Sequence, residues 1–157
     1  MELFFSFFQN FFRRFTKNNF FYNKYAKGFS LETEHMNIFF DYYLNGAAEK
    51  NSTNPKIYPY YYNNFSSLPK TLIIAGECDP LRDDAYLYAQ KCYTHKTEMK
   101  YYEFAGTVHG FFSTLDTFPE ARISADLVCE FISASSAVGE NSRILGTFST
   151  ANLSLIL

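Results

Sequence analysis

The sequence of 157 residues contains no tryptophan, only three cysteines and no long uninterrupted hydrophobic run. Cys78, Cys92 and Cys129 are an odd number without metal-ligand spacing, which argues against a disulfide framework and against a zinc site. They favour free thiols in a reducing, cytoplasmic compartment. Fourteen basic and sixteen acidic side chains leave a net charge of −2, so nothing indicates nucleic acid as a partner.

Aromatic side chains are abundant instead, since 19 phenylalanines and 13 tyrosines make up 20% of the residues. Residues 1–27 are aromatic and basic without a clear period, and we expect this segment to lie outside the core. Its Phe-rich run, Leu3 to Phe12, precedes two arginines, which reverses the order found in a secretory signal. The run is also too short to span a bilayer, which takes about 20 residues. Weak contact with a membrane surface is one interpretation of this run, and residual sequence without a structural role is the other.

From residue 28 the sequence predicts an α/β domain, which covers residues 28–134 and is followed by an irregular tail at 135–157. The segments Thr71–Ala75 and Lys100–Phe104 are typical of strands, and helices are predicted at 32–45, after Pro80 and from Pro119. This order indicates parallel strands with flanking helices. Two such strands alone form an incomplete sheet with an open edge. The two later helices are expected to bury Leu81, Ala85, Ala89 and Cys92, and Ile123, Leu127, Phe131 and Ile132, respectively.

Asp79 and His109 each come directly after a predicted strand. Because the carboxyl ends of parallel strands meet at one edge of a sheet, we expect the two side chains to lie close together. A carboxylate fixes the tautomer of an imidazole and stabilises its protonated form, which suits a base that activates a serine hydroxyl. Each residue also has a simpler interpretation, because an Asp before Pro often caps a helix and His-Gly often forms a turn.

Two blocks of sequence resemble the α/β-hydrolase fold-3 family, the hormone-sensitive lipase-like serine esterases: Leu72–Asp84 (LIIAGECDPLRDD) and Tyr102–Phe111 (YEFAGTVHGF). The similarity covers about residues 28–134 and corresponds to the C-terminal part of the α/β-hydrolase fold. The resemblance implies that Asp79 is the acid of a Ser-Asp-His triad and that His109 is its general base. It also implies a small-molecule ester substrate, and neither a metal nor an organic cofactor.

The Gly-Asp-Ser-Ala-Gly elbow and the His-Gly-Gly loop of that family do not occur in these 157 residues. The single Gly-X-Ser triplet, Gly28-Phe29-Ser30, lacks the second glycine and matches a later helix of the family. We therefore expect the chain to be the C-terminal portion of a carboxylic ester hydrolase and to be inactive alone. The alternatives are a catalytically inactive binding protein that kept the scaffold, and a truncated gene product.

Overall fold

The computed structural model of the chain describes residues 20–44 and 53–136. These residues form four helices and two strands, joined by loops with three short 3₁₀ turns, at Pro59–Tyr61, Phe65–Ser67 and Phe111–Ser113. In chain order the elements are α1 (Phe20–Lys24), α2 (Thr33–Tyr43), β1 (Thr71–Cys78), α3 (Arg82–Thr94), β2 (Met99–Val108) and α4 (Pro119–Ser136).

β1 and β2 pair in parallel and form the two-stranded sheet of the described residues. The pairing runs from Thr71 opposite Met99 to Gly76 opposite Phe104. Both strands contain the segments predicted from the sequence, but each continues farther, to Cys78 and to Val108. The predicted fold class, α/β with parallel strands and flanking helices, is confirmed.

The main core lies between β1 and α3. Ile73 points into it from the strand, and Phe65 contributes a fully buried ring from the turn that precedes the strand. Thr97 donates a hydrogen bond from its side chain to the Phe65 carbonyl (2.6 Å), which ties this turn to the end of α3. The other buried members come from α3: Tyr88, Ala89 and Cys92. Ala85, Ala89 and Cys92 of the predicted face therefore pack in this core, whereas Leu81 precedes α3 and is buried in a separate cluster with Tyr22.

The last helix packs differently from the prediction. Its expected buried residues were Ile123, Leu127, Phe131 and Ile132. Phe131 is buried, but Ile123 is 51% exposed and Ile132 is 37% exposed. The fully buried positions are instead Ala121 and Ser124, one turn apart. At 3.6 residues per turn, Ala121, Ser124 and Phe131 share one face of α4, and Ile123 and Ile132 lie to either side of it.

The core also begins earlier than the predicted boundary at residue 28. Tyr22 and Tyr25, in and just after α1, are 9% and 4% exposed. Tyr22 packs in a buried cluster with residues of three later segments: Leu31, Met36 and Leu81. The expectation that the whole of residues 1–27 lies outside the core is corrected at Tyr22 and Tyr25. The Phe-rich run and most of the predicted tail lie outside the described residues.

No helix within residues 20–44 and 53–136 is both long enough and apolar enough to cross a membrane.

Candidate functional site

The structure brings Asp79 and His109 into direct contact. Asp79 is the first residue after β1, and His109 is the first residue after β2. Their side chains are joined by a hydrogen bond of 2.8 Å between Nδ1 of His109 and Oδ2 of Asp79. Both side chains are mostly buried, at 16% and 12% exposure. The expected meeting of the two side chains at the strand ends is what the geometry shows.

The carboxylate of Asp79 is fixed from two sides. The second carboxylate oxygen, Oδ1, accepts a hydrogen bond from the backbone N–H of Leu81 (2.8 Å). The backbone carbonyl of Asp79 accepts another from the N–H of Arg82 (3.0 Å). These bonds form the tight turn that leads into α3, in which Pro80 supplies a fixed φ. The helix-start role and the contact with His109 therefore use different oxygens of one carboxylate, and one does not exclude the other.

A β-bulge in β2 determines that His109, just after this strand, faces Asp79. Up to Gly76 each residue of β1 pairs with the residue 28 positions later, but Cys78 pairs with Val108, 30 positions later. β2 therefore holds two extra residues between these pairs, which shifts the pairing register of all later residues by two positions. Asp79 and His109 are also 30 positions apart. Without the bulge, the residue beside Asp79 would come from the strand itself, two positions before His109.

Four residues hold this bulge in shape. Gly106 has φ of +71°, and its N–H donates to Oε2 of Glu77 at 2.9 Å. Thr107, which is 1% exposed, donates from its hydroxyl to the carbonyl of Phe104 at 2.8 Å. Gly76 lies so close to Thr107 that an added Cβ would be 2.9 Å from the Thr107 carbonyl oxygen. Sequence reasoning missed Gly76, Glu77, Gly106 and Thr107, although a glycine within a strand is a known sign of a bulge or a close backbone approach.

Arg82 links the start of α3 to β2. Its Nε and Nη2 bond the two carboxylate oxygens of Glu103, at 2.8 and 3.2 Å, and its Nη1 bonds Asp83 at 3.1 Å. The guanidinium also lies 4.5 Å from the ring centroid of Phe21. Burial disfavours the charge of Arg82, but the hydrogen bonds to Glu103 and Asp83 outweigh it and raise the pKa of the guanidinium. The clamp fixes α3 relative to β2, and so supports the loop that carries Asp79.

Two buried titratable groups, Asp84 and Cys92, have no part in the contact itself. Asp84 is 1% exposed, and neither of its carboxylate oxygens has a hydrogen-bond partner among the described residues. Burial, together with the charges of Asp83 and Asp79, raises the pKa of Asp84 well above its ordinary value. All three cysteines are free, and burial raises the pKa of the Cys92 thiol to about 11.

The other candidate side chains lie elsewhere. His35 is exposed on α2, and His95 follows the end of α3, where its Nδ1 contacts the carbonyl of Lys91 (2.8 Å). Ser30 is exposed in the turn between α1 and α2. In the part of the chain that the structure describes, no group of three His, Cys, Asp or Glu side chains is arranged to hold a metal ion.

Known proteins share this arrangement of strands and helices. A sequence model of the α/β-hydrolase fold-3 family, described as alpha/beta hydrolase fold, matches residues 8–113, which is more than half of the chain. The chain belongs to this family. The α/β-hydrolase match begins well before residue 28, in agreement with the buried position of Tyr22 and Tyr25 in the core.

Individual relatives of this α/β-hydrolase chain are esterases. An arylesterase of Saccharolobus solfataricus is 30% identical over 103 residues, which are 64% of this chain and 33% of that protein. The solved structure of a thermostable carboxylesterase from a metagenomic library is 30% identical with a TM-score of 0.66, and the match covers 73% of this chain and 38% of that one. An ester hydrolase from the metagenome of Lake Arreo, 23% identical, has the same fold with a TM-score of 0.72 over 83% of this chain and 40% of its own. The chain thus spans between a third and two fifths of the length of these proteins.

Proposed function

We propose that this chain supplies the acid and the general base of a serine-type carboxylic ester hydrolase. Asp79 is the acid and His109 is the base. The observation that carries the proposal is the 2.8 Å hydrogen bond between His109 Nδ1 and Asp79 Oδ2, formed at the carboxyl ends of two parallel strands. Esterases among the relatives support the same class of reaction.

The chemistry follows from the direction of this hydrogen bond. An ionised carboxylate only accepts hydrogen bonds, so the Nδ1 of His109 donates and its Nε2 carries the free lone pair. Nε2 takes the proton of a serine hydroxyl as the serine oxygen attacks the ester carbonyl, and Asp79 stabilises the imidazolium that results. The protonated imidazole then gives its proton to the departing alcohol. Water repeats the sequence on the acyl-enzyme, releases the acid and restores the serine.

The nucleophile and the oxyanion donors are not encoded in these 157 residues, which contain neither a Gly-X-Ser-X-Gly elbow nor a His-Gly-Gly loop. Loss of a single oxyanion donor already costs about 10²- to 10³-fold in rate. We therefore propose that the chain by itself does not hydrolyse esters, and that activity needs a serine from outside this sequence. The same absence favours one second candidate, a binding protein that retains the scaffold and binds small esters without cleaving them.

The first test is to sequence the native transcript through its 5′ end and to express the open reading frame found there. Hydrolysis of p-nitrophenyl butyrate and labelling by a fluorophosphonate probe then report whether a reactive serine is present. With an upstream elbow, we expect His109→Asn and Asp79→Asn to lower kcat by about 10³- to 10⁴-fold or more. His35→Asn is the matched control, because His35 is exposed on α2.

The outcomes separate the two candidates. An active enzyme that loses no more activity in His109→Asn than in His35→Asn would refute the proposed role of His109. If the transcript starts at Met1 and its folded product neither hydrolyses the ester nor takes the probe, the esterase proposal fails. In that case a thermal shift upon addition of short-chain esters tests the binding candidate.

A further inference from the structure

The alignment of Asp79 with His109 depends on a bulge that is itself held by one carboxylate. Glu77 lies on β1, one residue before Cys78 and two before Asp79. Its Oε2 accepts the hydrogen bond from the N–H of Gly106, at the bulge of β2, over a distance of 2.9 Å. An extra residue in a bulge leaves backbone groups without a partner in the ladder, and Glu77 supplies an acceptor for one of them.

The contact spans the two strands at the point where their register changes. The pairing is regular up to Gly76 and resumes, two residues advanced, at Cys78. Glu77 is the β1 residue between these two pairs, and Gly106 is the middle of the three β2 residues opposite it. The positive φ of Gly106 (+71°) belongs to the same local distortion.

We propose that Glu77 is a positioning residue for the Asp79–His109 pair, which it serves by fixing the Gly106 bulge through its side-chain acceptor. This role rests on the proposed function, because positioning matters for catalysis only if Asp79 and His109 act as acid and base. If the hydrogen bond to Gly106 is lost, the bulge can relax toward the regular register. His109, three residues after Gly106, then moves away from Asp79.

Glu77 also acts on Lys24 through its charge. A test therefore has to separate the effect of this charge from the effect of the hydrogen bond to Gly106. Lys24 at the end of α1 has a raised pKa, chiefly because of its hydrogen bond with Tyr25, with a smaller contribution from the charge of Glu77. Two substitutions separate the effects. Glu77→Gln keeps an acceptor oxygen at the same reach but removes the charge, whereas Glu77→Asp keeps the charge but shortens the side chain by one methylene.

The experiment uses the full 157-residue chain labelled with ¹⁵N. The chain has three histidines, so His35 and His95 serve as internal references for the ring ¹⁵N shifts of His109. These shifts report which ring nitrogen of a neutral imidazole carries the proton. Hydrogen exchange of the Gly106 amide reports the bulge. Glu98→Ala is the matched control, because Glu98 precedes β2 with a side chain that is 73% exposed.

We expect wild type, Glu77→Gln and Glu98→Ala to keep the Nδ1–H form of His109 and slow exchange at Gly106. Glu77→Ala and Glu77→Asp should lose the preference for Nδ1–H, and their Gly106 amide should exchange about 10- to 100-fold faster. The proposal is overturned if Glu77→Ala retains the Nδ1–H form, or if Glu77→Asp retains it while Glu77→Gln loses it. If Glu77→Ala fails to fold, the proposal is tested by comparing the Nδ1–H form of His109 in Glu77→Asp and Glu77→Gln. Because the readout is the imidazole proton, an inactive product of the native transcript would refute the proposed function without changing this result.

Discussion

Replacement of Gly76 by alanine tests whether the close approach of the two strands at the bulge matters. The new Cβ would lie 2.9 Å from both the carbonyl oxygen and the hydroxyl of Thr107. Ordinary contact begins at 3.4 Å, so Thr107 would have to withdraw by about 0.5 Å. Rotation of the Thr107 side chain relieves only one of the two contacts, since the other atom is backbone. Thr107 is buried, and overpacking of this kind costs about 1–3 kcal/mol.

The displacement also reaches the candidate site, because His109 comes two residues after Thr107. A shift of about 0.5 Å passed along the chain would stretch the 2.8 Å bond to Asp79 toward about 3.3 Å, beyond the usual range of such bonds. We expect Gly76→Ala to lower the free energy of unfolding in urea by about 1–3 kcal/mol. The ring ¹⁵N shifts of His109 should at the same time lose the signature of a bonded Nδ1–H.

Gly28→Ala is the control for this substitution. Gly28 has φ of +80° but nothing within 4 Å of an added Cβ, so alanine there costs backbone strain of about 1–2 kcal/mol without a collision. The two variants should lose comparable stability, and only Gly76→Ala should disturb His109. A Gly76→Ala protein that is as stable as wild type and keeps the Nδ1–H signature would show that the strands tolerate the extra methyl group.

Three further outcomes are expected for Asp84, Arg82 and the cysteines. Because the pKa of Asp84 is raised in the folded chain, its carboxyl contributes stability at low pH that is lost as the pH rises from about 4 toward the raised pKa. Over that pH range Asp84→Asn should therefore gain stability relative to wild type, by up to about 1.4 kcal/mol per pH unit in urea titrations. A difference in stability that does not change with pH would contradict this expectation. Arg82→Lys loses the paired bonds to Glu103 and should lower the free energy of unfolding by about 1–3 kcal/mol, whereas an unchanged urea midpoint would mean that the clamp is dispensable. In the native chain Cys129, which is exposed, should react with a thiol reagent such as DTNB, while Cys92, with its pKa raised to about 11 by burial, should react only on unfolding; equal rates would contradict this burial.

The sequence predicts the β1–α3–β2 unit well because each element there has a local cause. The run from Thr71 to Ala75 is apolar and rich in β-branched residues, and Pro80 marks the turn before α3. The residue types at Asp79 and His109, directly after the strands, sufficed to predict their contact. The strand and helix signals are set by side chains within a few positions of one another, whereas the contact itself joins residues 30 positions apart.

The parts that the sequence does not predict depend on distant or backbone contacts. In α4 the apolar residues mark the buried face only in part, because Phe131 is buried with the small side chains of Ala121 and Ser124 while Ile123 and Ile132 stay exposed. Tyr22 is buried by Leu81, from a segment far along the chain. The bulge rests on a backbone N–H at Gly106, which any residue type except proline also has, so the sequence contains only the glycine as a hint.

The proposed acid and base, Asp79 and His109, lie within one strand–helix–strand unit, only 30 positions apart. Closure of a loop of this length costs about 1.4 kcal/mol less entropy than closure of one five times longer. Contacts of such short separation also form faster than those that join distant parts of a chain. On a growing polypeptide the two side chains can therefore reach each other soon after β2 is made. Assembly of the proposed acid–base pair would then not depend on contact with a serine from another part of the protein.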